Sequence, residues 1–530
     1  MLRTRLRLLA TVVSSLAPAA APVAQGTAGT MPVPGPLARV PDACLAVAWL
    51  PDPVQAVARI GAALGDIPPA LPEEQRALLG IGLLALPRLL GGTPAELAER
   101  LGKGGMALGV LLDGAVPAVV AVAQPGDVDA AVEWVRTKPQ LRWRREGPQL
   151  LLANSAAGLV SLGDKEAAGA WARRFELGPA TEAVARIEFD LDRVRALQAA
   201  AERDQPEGFG AALLFPGLVA AARSAHALRV ELHGGDELRL EAMLEALPGA
   251  ETLATLVHGF GPRQVPVLEP GCLLYASLDR SLRVLFGGGP ARAAAQDPGV
   301  AGFLATADLL DGPNSFVDGL LGRLEEPVHL MVFETPAASA GEPMFVLPGI
   351  ALAARMQDAR VADVVEQVLG LVTIIGNAER GQRNQQPFRI ERLAEGGASG
   401  FTSTMTEWRG PGLPPLEAAI QPTVLVQDGV LAVATTQDAA LRALAALRGP
   451  TEEVAGDRMV VRGRPLAASV ARNLAPLVLA RQLDEGEDAA AAQRFWRSAM
   501  VLLEELDGLR WGYGLRDGSL HAWVSLRRAR

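Results

Sequence analysis

The feature that most constrains this chain is that its sequence runs through one pattern twice. Cys44-Leu45-Ala46-Val47-Ala48-Trp49-Leu50 is answered by Cys272-Leu273-Leu274-Tyr275-Ala276-Ser277-Leu278. Each is a strand-like run preceded by a proline, Pro41 or Pro270, and followed by an amphipathic helix. In the first copy the apolar positions of that helix are Val54, Val57, Ile60 and Leu64, a period of about 3.6 residues. Further on, Leu89-Leu90-Gly91-Gly92 matches Leu309-Leu310-Asp311-Gly312, and the next helices close on Leu101-Gly102 and Leu321-Gly322. In the first copy Thr93-Pro94-Ala95-Glu96 is a capping box with proline at the first helical position.

Both copies continue alike. Met106–Leu112 and Val116–Ala123 flank Asp113-Gly114, a hairpin signal, and Val328–Phe333 and Met344–Ala353 flank a longer loop. Helices follow at Val128, Val132 and Val135 and at Val361, Val364, Val365 and Val368. More strands come next: Gln149–Ala153 in the first copy, and Thr423–Gln427 with Val430–Thr435 about Asp428-Gly429 in the second. Each copy then ends on a strand, two helices and a hairpin. In the first these are Val184–Phe189, helices near Leu191–Ala201 and Phe209–Arg223, then Leu228–Leu232 and Leu238–Leu244. In the second they are Met459–Val461, helices near Leu466–Ala480 and Ala489–Leu506, then Leu509–Tyr513 and Leu520–Leu526.

Strands that come in hairpins and groups, without strict alternation with helices, indicate an α+β fold: two tandem divergent modules of antiparallel sheet with helices packed on one face. The expected organisation is a signal peptide over 1–26, a linker over 27–40, and the first module over 41–247. A linker at 248–267 and the second module over 268–528 complete it. The second module carries an insertion near 379–415, read as a long polar loop in which Arg383, Trp408 and Arg409 are candidate partner-binding residues.

The leader is expected from Arg3, Arg5 and Arg7, the short apolar stretch Leu8–Leu16, and small residues around Ala19-Ala20-Ala21 or Ala24-Gln25-Gly26. The expectation is therefore an exported chain, periplasmic or extracellular, without a transmembrane anchor once the leader is removed. Net charge is −9, aromatic residues make up 4%, and there are only 3 lysines. That balance provides neither the basic footprint nor the stacking platform of a nucleic-acid binder.

Chemistry is sparse. Cys44 and Cys272 occupy equivalent positions; they either meet as a disulfide in an oxidising compartment or stay as small buried apolar residues. The histidines, His226, His233, His258, His329 and His521, do not pair at metal-ligand spacing. Gly397-Ala398-Ser399-Gly400 and Ser161-Leu162-Gly163-Asp164-Lys165 miss the nucleophile motifs, and Gly80-Ile81-Gly82 lacks the strand that a dinucleotide site requires. No catalytic, cofactor or metal site is expected.

The "Asp-Gly turn, apolar strand, helix" unit of Asp428 to Leu444 resembles those of uncharacterised exported bacterial proteins with duplicated α+β domains of unknown function. The resemblance covers most of residues 41–528 and implies fold and compartment only. Two functions are carried forward: a non-catalytic exported protein that binds a partner protein or an apolar ligand, and an extracytoplasmic hydrolase with a carboxylate-based site. The sequence leaves the oligomeric state open.

Overall fold

The computed structural model describes residues 35–64, 94–101, 104–113, 116–162, 169–176, 183–198, 218–234, 237–245, 253–255, 257, 262–287, 298–307, 309, 315–335, 346–405, 420–455 and 457–528. The leader, the Thr93 capping box, Leu89–Gly92, Asp311-Gly312, Trp408 and Arg409 lie outside them. Contacts divide the chain into two compact units. The first comprises residues up to Asp204, Ala220–Pro248 and Arg516–Arg528; the second comprises Gln205–Val219 and Gly249–Leu515.

The first unit holds strands β1 (Ala46–Leu50), β2 (Met106–Asp113), β3 (Val116–Ala123), β4 (Arg142–Glu146), β5 (Gln149–Ala153), β6 (Ala185–Asp190), β7 (Ala227–Gly234) and β8 (Leu238–Glu245). The second holds β9 (Pro262–Pro266), β10 (Cys272–Leu278), β11 (Val328–Phe333), β12 (Gly349–Arg355), β13 (Phe388–Glu395), β14 (Ala398–Met405), β15 (Thr423–Gln427), β16 (Val430–Ala434), β17 (Thr451–Ala455), β18 (Met459–Val461) and β19 (Leu506–Arg516). The last strand, β20 (Ser519–Arg528), returns to the first unit.

Every pairing is antiparallel. In the first unit the order is β4-β5-β3-β2-β1-β6-β7-β8-β20. In the second it is β13-β14-β15-β16-β12-β11-β10-β18-β19, with β9 and β17 forming a separate pair. The α+β class holds. The segment 379–415 does not begin as a loop: helix Arg360–Gln382 runs into it, and β13 and β14 form a hairpin about Gly396 and Gly397, both at positive φ. The strand expected from Met344 begins at Gly349.

The helices cover both faces of each sheet, which corrects the one-face expectation. In the first unit Leu108, Val119, Ala121 and Leu152 pack with Ala56, Leu101, Val132 and Val135 from helices. Their strand neighbours Ala107, Val120, Val122 and Leu151 pack on the other side with Leu37, Trp171 and Phe175. In the second unit Met331, Ala351, Ala353 and Ala432 meet helix Gln437–Arg448, while Val424 and Leu431 meet Val361, Val364, Val365 and Phe316. The physical reason is visible in the strands: β3 (VPAVVAVA) and β5 (QLLLA) do not alternate, as strands buried on both faces need not.

Local signals set the element ends. Asp127 accepts from the Ala130 N–H at 3.0 Å and opens helix Val128–Arg136. Thr436 does the same for Gln437–Arg448, accepting from Ala439 N at 3.2 Å. Asp428 and Gly429, with φ of 51° and 76°, make the two-residue turn between β15 and β16.

Helix Gln437–Arg448 lies close on its sheet because Ala439, Ala440 and Ala443 face it and β12 presents alanine and glycine in return. A Cβ on Gly349 would stand 2.8 Å from Ala439 Cβ. Gly349→Val should therefore destabilise the chain by about 1–3 kcal/mol in urea unfolding. Ile350→Val, on the other face and half exposed, should stay within about 0.5 kcal/mol. Equal effects would show that the helix does not limit the packing there.

Candidate functional site

β12 is an interior strand, paired to β11 on one side and β16 on the other, yet Ile350 is 42% exposed and Leu352 43%. Directly opposed residues of antiparallel strands share a face, so the registers define what surrounds them. Ile350 stands beside Val332, which stands beside Leu274, then Val461, then Leu509. Leu352 continues through Leu330, Ala276, Met459 and Trp511. These are two apolar rungs across five strands, about 19 Å from end to end at the usual strand spacing. Val332, Leu274, Val461, Leu509, Leu330 and Trp511 are all half-buried, whereas Ala276 and Met459, in the middle of the second rung, are closed over. Further along the same face Ala354 is closed over by Leu282 and Leu285 of helix Leu282–Phe286, so the opening is confined to the Ile350 end.

The central strands of the first unit are closed by comparison. On its central strands Val119, Ala121, Leu108 and Ala48 are at most 3% exposed beneath helix side chains. The contrast marks the second unit's face as the candidate site, because exposed apolar surface in the middle of a sheet is its unusual property.

The opposite face of the same strands is polar in places and closed. Tyr275 Oη and His329 Nδ1 are 2.9 Å apart, with the rings stacked at 5.9 Å. Burial pushes the Tyr275 phenol up and pulls His329 down to about 4, with Arg355 adding to the second effect. On the face that carries Trp511, one step beyond the apolar rungs at Tyr513, Arg280 is 0% exposed, pairs with Asp457, and lies 5.7 Å from the Tyr513 ring; burial lowers it to about 10. Asp457 also accepts the Asp279 N–H at 2.6 Å, and Asp279 pairs with Arg263.

The first unit has its own buried charge network, on β6 and β7. Glu188 accepts from Arg186 Nη2 at 2.7 Å and Arg229 Nε at 3.0 Å; Arg229 reaches Glu245 at 2.9 Å, and Glu231 is 3.8 Å from Arg186. Arg186 also sits 5.1 Å over the Phe175 ring. Burial lowers the Arg186 value, opposed chiefly by Glu188. Carboxylates do converge here, but guanidinium groups occupy the space between them. A general acid and base need free access to a substrate proton, and this arrangement is an ion-pair hub.

The residues singled out from sequence fall elsewhere. Cys44 and Cys272 are free buried thiols, each in the core of its own unit and not bridged. Burial raises them to about 12 and about 11, so neither is an activated nucleophile. Arg383 is exposed at the end of helix Arg360–Gln382, bonding through its N–H to the Glu379 and Arg380 carbonyls. His226 pairs with Asp192 at 2.9 Å on the surface. Among the described residues no group of three His, Cys, Asp or Glu side chains could hold a metal. Among the described residues one helix, Arg360–Gln382, is long and apolar enough to cross a membrane by length and composition; its Val361, Val364, Val365 and Val368 are buried in the sheet-facing cluster. No protein-family model, curated protein or solved structure matches the chain.

Two expectations follow. His329 is held neutral, its value below the ordinary 6.5, so its contribution is complete above pH 6.5 and is lost as pH falls towards 4. Wild type should lose up to about 3 kcal/mol more than His329→Gln over that window in pH-dependent urea unfolding; parallel curves would contradict it. Glu188→Leu leaves Arg186 and Arg229 without their shared partner and should cost about 3–5 kcal/mol, read the same way.

Proposed function

We propose that the chain is a non-catalytic binding protein whose second unit takes an apolar ligand, of the class of a long alkyl chain, on the open face of β12. The observation that carries this reading is the exposure of Ile350 and Leu352 in the middle of a sheet, with apolar neighbours on four further strands. Removing contiguous apolar area from water contributes about 25 cal/mol per Å², a driving force that needs no directional chemistry. The ionisable groups around it, Tyr275 and His329 on the other face and Arg280 and Asp457 beside Tyr513, are buried and paired, which among the described residues gives a hydrolase no accessible acid–base couple in this region.

The reading includes a duplicated module and export of the mature chain, as in the exported bacterial proteins it resembles. Support for the duplication is residue-level. Asn154 and Thr435 each donate their N–H to the strand residue whose own N–H their side chain accepts, Val119 and Ile350. Ser155 and Thr436 then cap the following helices, and the N–H groups of Asp190 and Arg462 bond to Leu45 and Leu273, which directly follow the two cysteines. On that alignment Ile350 corresponds to Val119: one copy keeps a closed core, and the other has an uncovered face.

N-phenyl-1-naphthylamine, an apolar fluorescent probe, tests the site. It should bind wild type, and Leu352→Glu should weaken binding by on the order of tenfold while unfolding stability shifts by less than about 1 kcal/mol, because the side chain is already half exposed. Absence of probe binding, or binding unchanged in both Leu352→Glu and Ile350→Glu, would sink the proposal.

A further inference from the structure

The two apolar rungs that start at Ile350 and Leu352 end on β19, and there the face carries a polar group without a partner. Leu509 closes the first rung and Trp511 the second. Two residues apart on one strand, they stand about 7 Å from each other on the same side of the sheet. The Trp511 ring packs against Ala276, Leu278 and Met459, and its Nε1 is shielded from water with no acceptor. An indole N–H is a donor only, and a donor left unmade out of water carries its full desolvation cost. Trp496 shows the ordinary outcome, donating from Nε1 to the Leu477 carbonyl at 3.2 Å. Trp171 Nε1 also lacks an acceptor, but it lies in the closed core of the first unit, where no ligand could supply one. Trp511 is only half-buried as a whole residue, so a turn of its ring can present the N–H to the rung beside it.

The shape of the open surface limits what could bring that acceptor. Along the first rung every residue is exposed or half-buried: Ile350, Val332, Leu274, Val461 and Leu509. The second rung is closed at Ala276 and Met459, and the rung beyond it is closed at Ala354 by Leu282 and Leu285. The strip that crosses all five strands is therefore one rung wide, which suits a single alkyl chain and not a pair of chains or a fused ring system. An alkyl tail covers most apolar area over Ile350 and Leu352, where exposure is greatest. That leaves the other end of the molecule over Leu509, beside Trp511.

Charge at that end is already balanced. Arg280 pairs with Asp457, and Asp279 pairs with Arg263. A carboxylate or phosphate brought there would lose its water and gain one neutral donor, with the buried guanidinium already committed. A hydroxyl or ester oxygen needs only the one donor.

We propose that the molecule on the open face is a neutral single-chain amphiphile, a long-chain alcohol or ester, lying along the first rung with its oxygen accepting from Trp511 Nε1. This rests on the reading of that face as an apolar site and adds the class and the orientation of the ligand.

Displacement of N-phenyl-1-naphthylamine by decanol, decanethiol and decanoate at neutral pH tests the assignment, with circular dichroism checking that the variant is folded. Decanethiol matches decanol in shape, but its sulfur is a weak acceptor. Trp511→Phe keeps an apolar ring and removes the N–H. In that variant the ratio of decanol to decanethiol affinity should fall by about tenfold from its wild-type value, a comparison in which the different solubilities of the two compounds cancel. Decanoate should compete less well than decanol by about tenfold or more. In wild type the Trp511 indole N–H resonance should move downfield with decanol and not with decanethiol, a readout independent of whether the variant folds. An unchanged ratio in folded Trp511→Phe, decanoate competing as well as decanol, or an unmoved resonance at saturation overturns the assignment while leaving the apolar site standing. If neither the probe nor any of the three compounds binds, the apolar-site reading itself has failed and this inference falls with it.

Discussion

Burial of an antiparallel sheet on both faces is the constraint on which the rest depends. Each strand must then satisfy two helical layers at once, and side-chain size becomes the means of doing so. On β12 the inward positions toward helix Gln437–Arg448 are Gly349, Ala351 and Ala353, matched by Ala439, Ala440 and Ala443, so backbone meets backbone closely. The other side of the same strand carries Ile350 and Leu352, large residues that would ordinarily reach into a second helical layer. Where that layer is complete, as around Val361, Val364 and Phe316, the face is closed. At the Ile350 end it is open, and apolar surface faces water at a cost that a bound apolar molecule would offset.

The polar interior belongs to the same economy of space. Charged side chains on β6 and β7 stand where a sheet face would ordinarily meet solvent, yet Arg186, Glu188, Arg229 and Glu231 are each at most 9% exposed. Such a network is a weak source of net stability, because desolvation cancels much of the attraction, but it tolerates no single deletion. It also fixes register: a slip of β7 against β6 by one residue would place Glu188 opposite an apolar neighbour and leave Arg229 unpaired. His329 and Tyr275 play the corresponding part in the second unit, holding a neutral imidazole between strands.

Much of this was legible in the sequence, and the limits have physical reasons. Turn chemistry is local, so the Asp428-Gly429 turn declared itself, and Gln149–Ala153, Thr423–Gln427 and Met459–Val461 are strands with the expected bounds. Two-sided burial was available in the unbroken apolar runs of β3 and β16 but was outweighed by the hairpin grouping, which says nothing about what covers a face. The alternating charges of ARIEFD look like a solvent face, and only tertiary contact shows that the Phe175 helix covers them. The exposure of Ile350 is likewise invisible locally: the residue suits a core, and its openness depends on which distant helix fails to reach it. The stretch expected as a polar loop begins as helix and hairpin, because Phe388–Glu395 and Ala398–Met405 alternate weakly and their pairing depends on the turn at Gly396 and Gly397.

The central claim is that the uncovered face of β12 receives an apolar molecule. The most direct measurement is a methyl spectrum of the full chain with isotope-labelled isoleucine, leucine and valine, titrated with a long-chain alkyl alcohol below its solubility limit. The account predicts saturable shifts at Ile350 and Leu352, spreading to Val332 and Leu274 neighbours and absent from the methyls around Leu108 and Leu152. Shifts confined to other sites, or Ile350 and Leu352 unmoved at saturation, would contradict it.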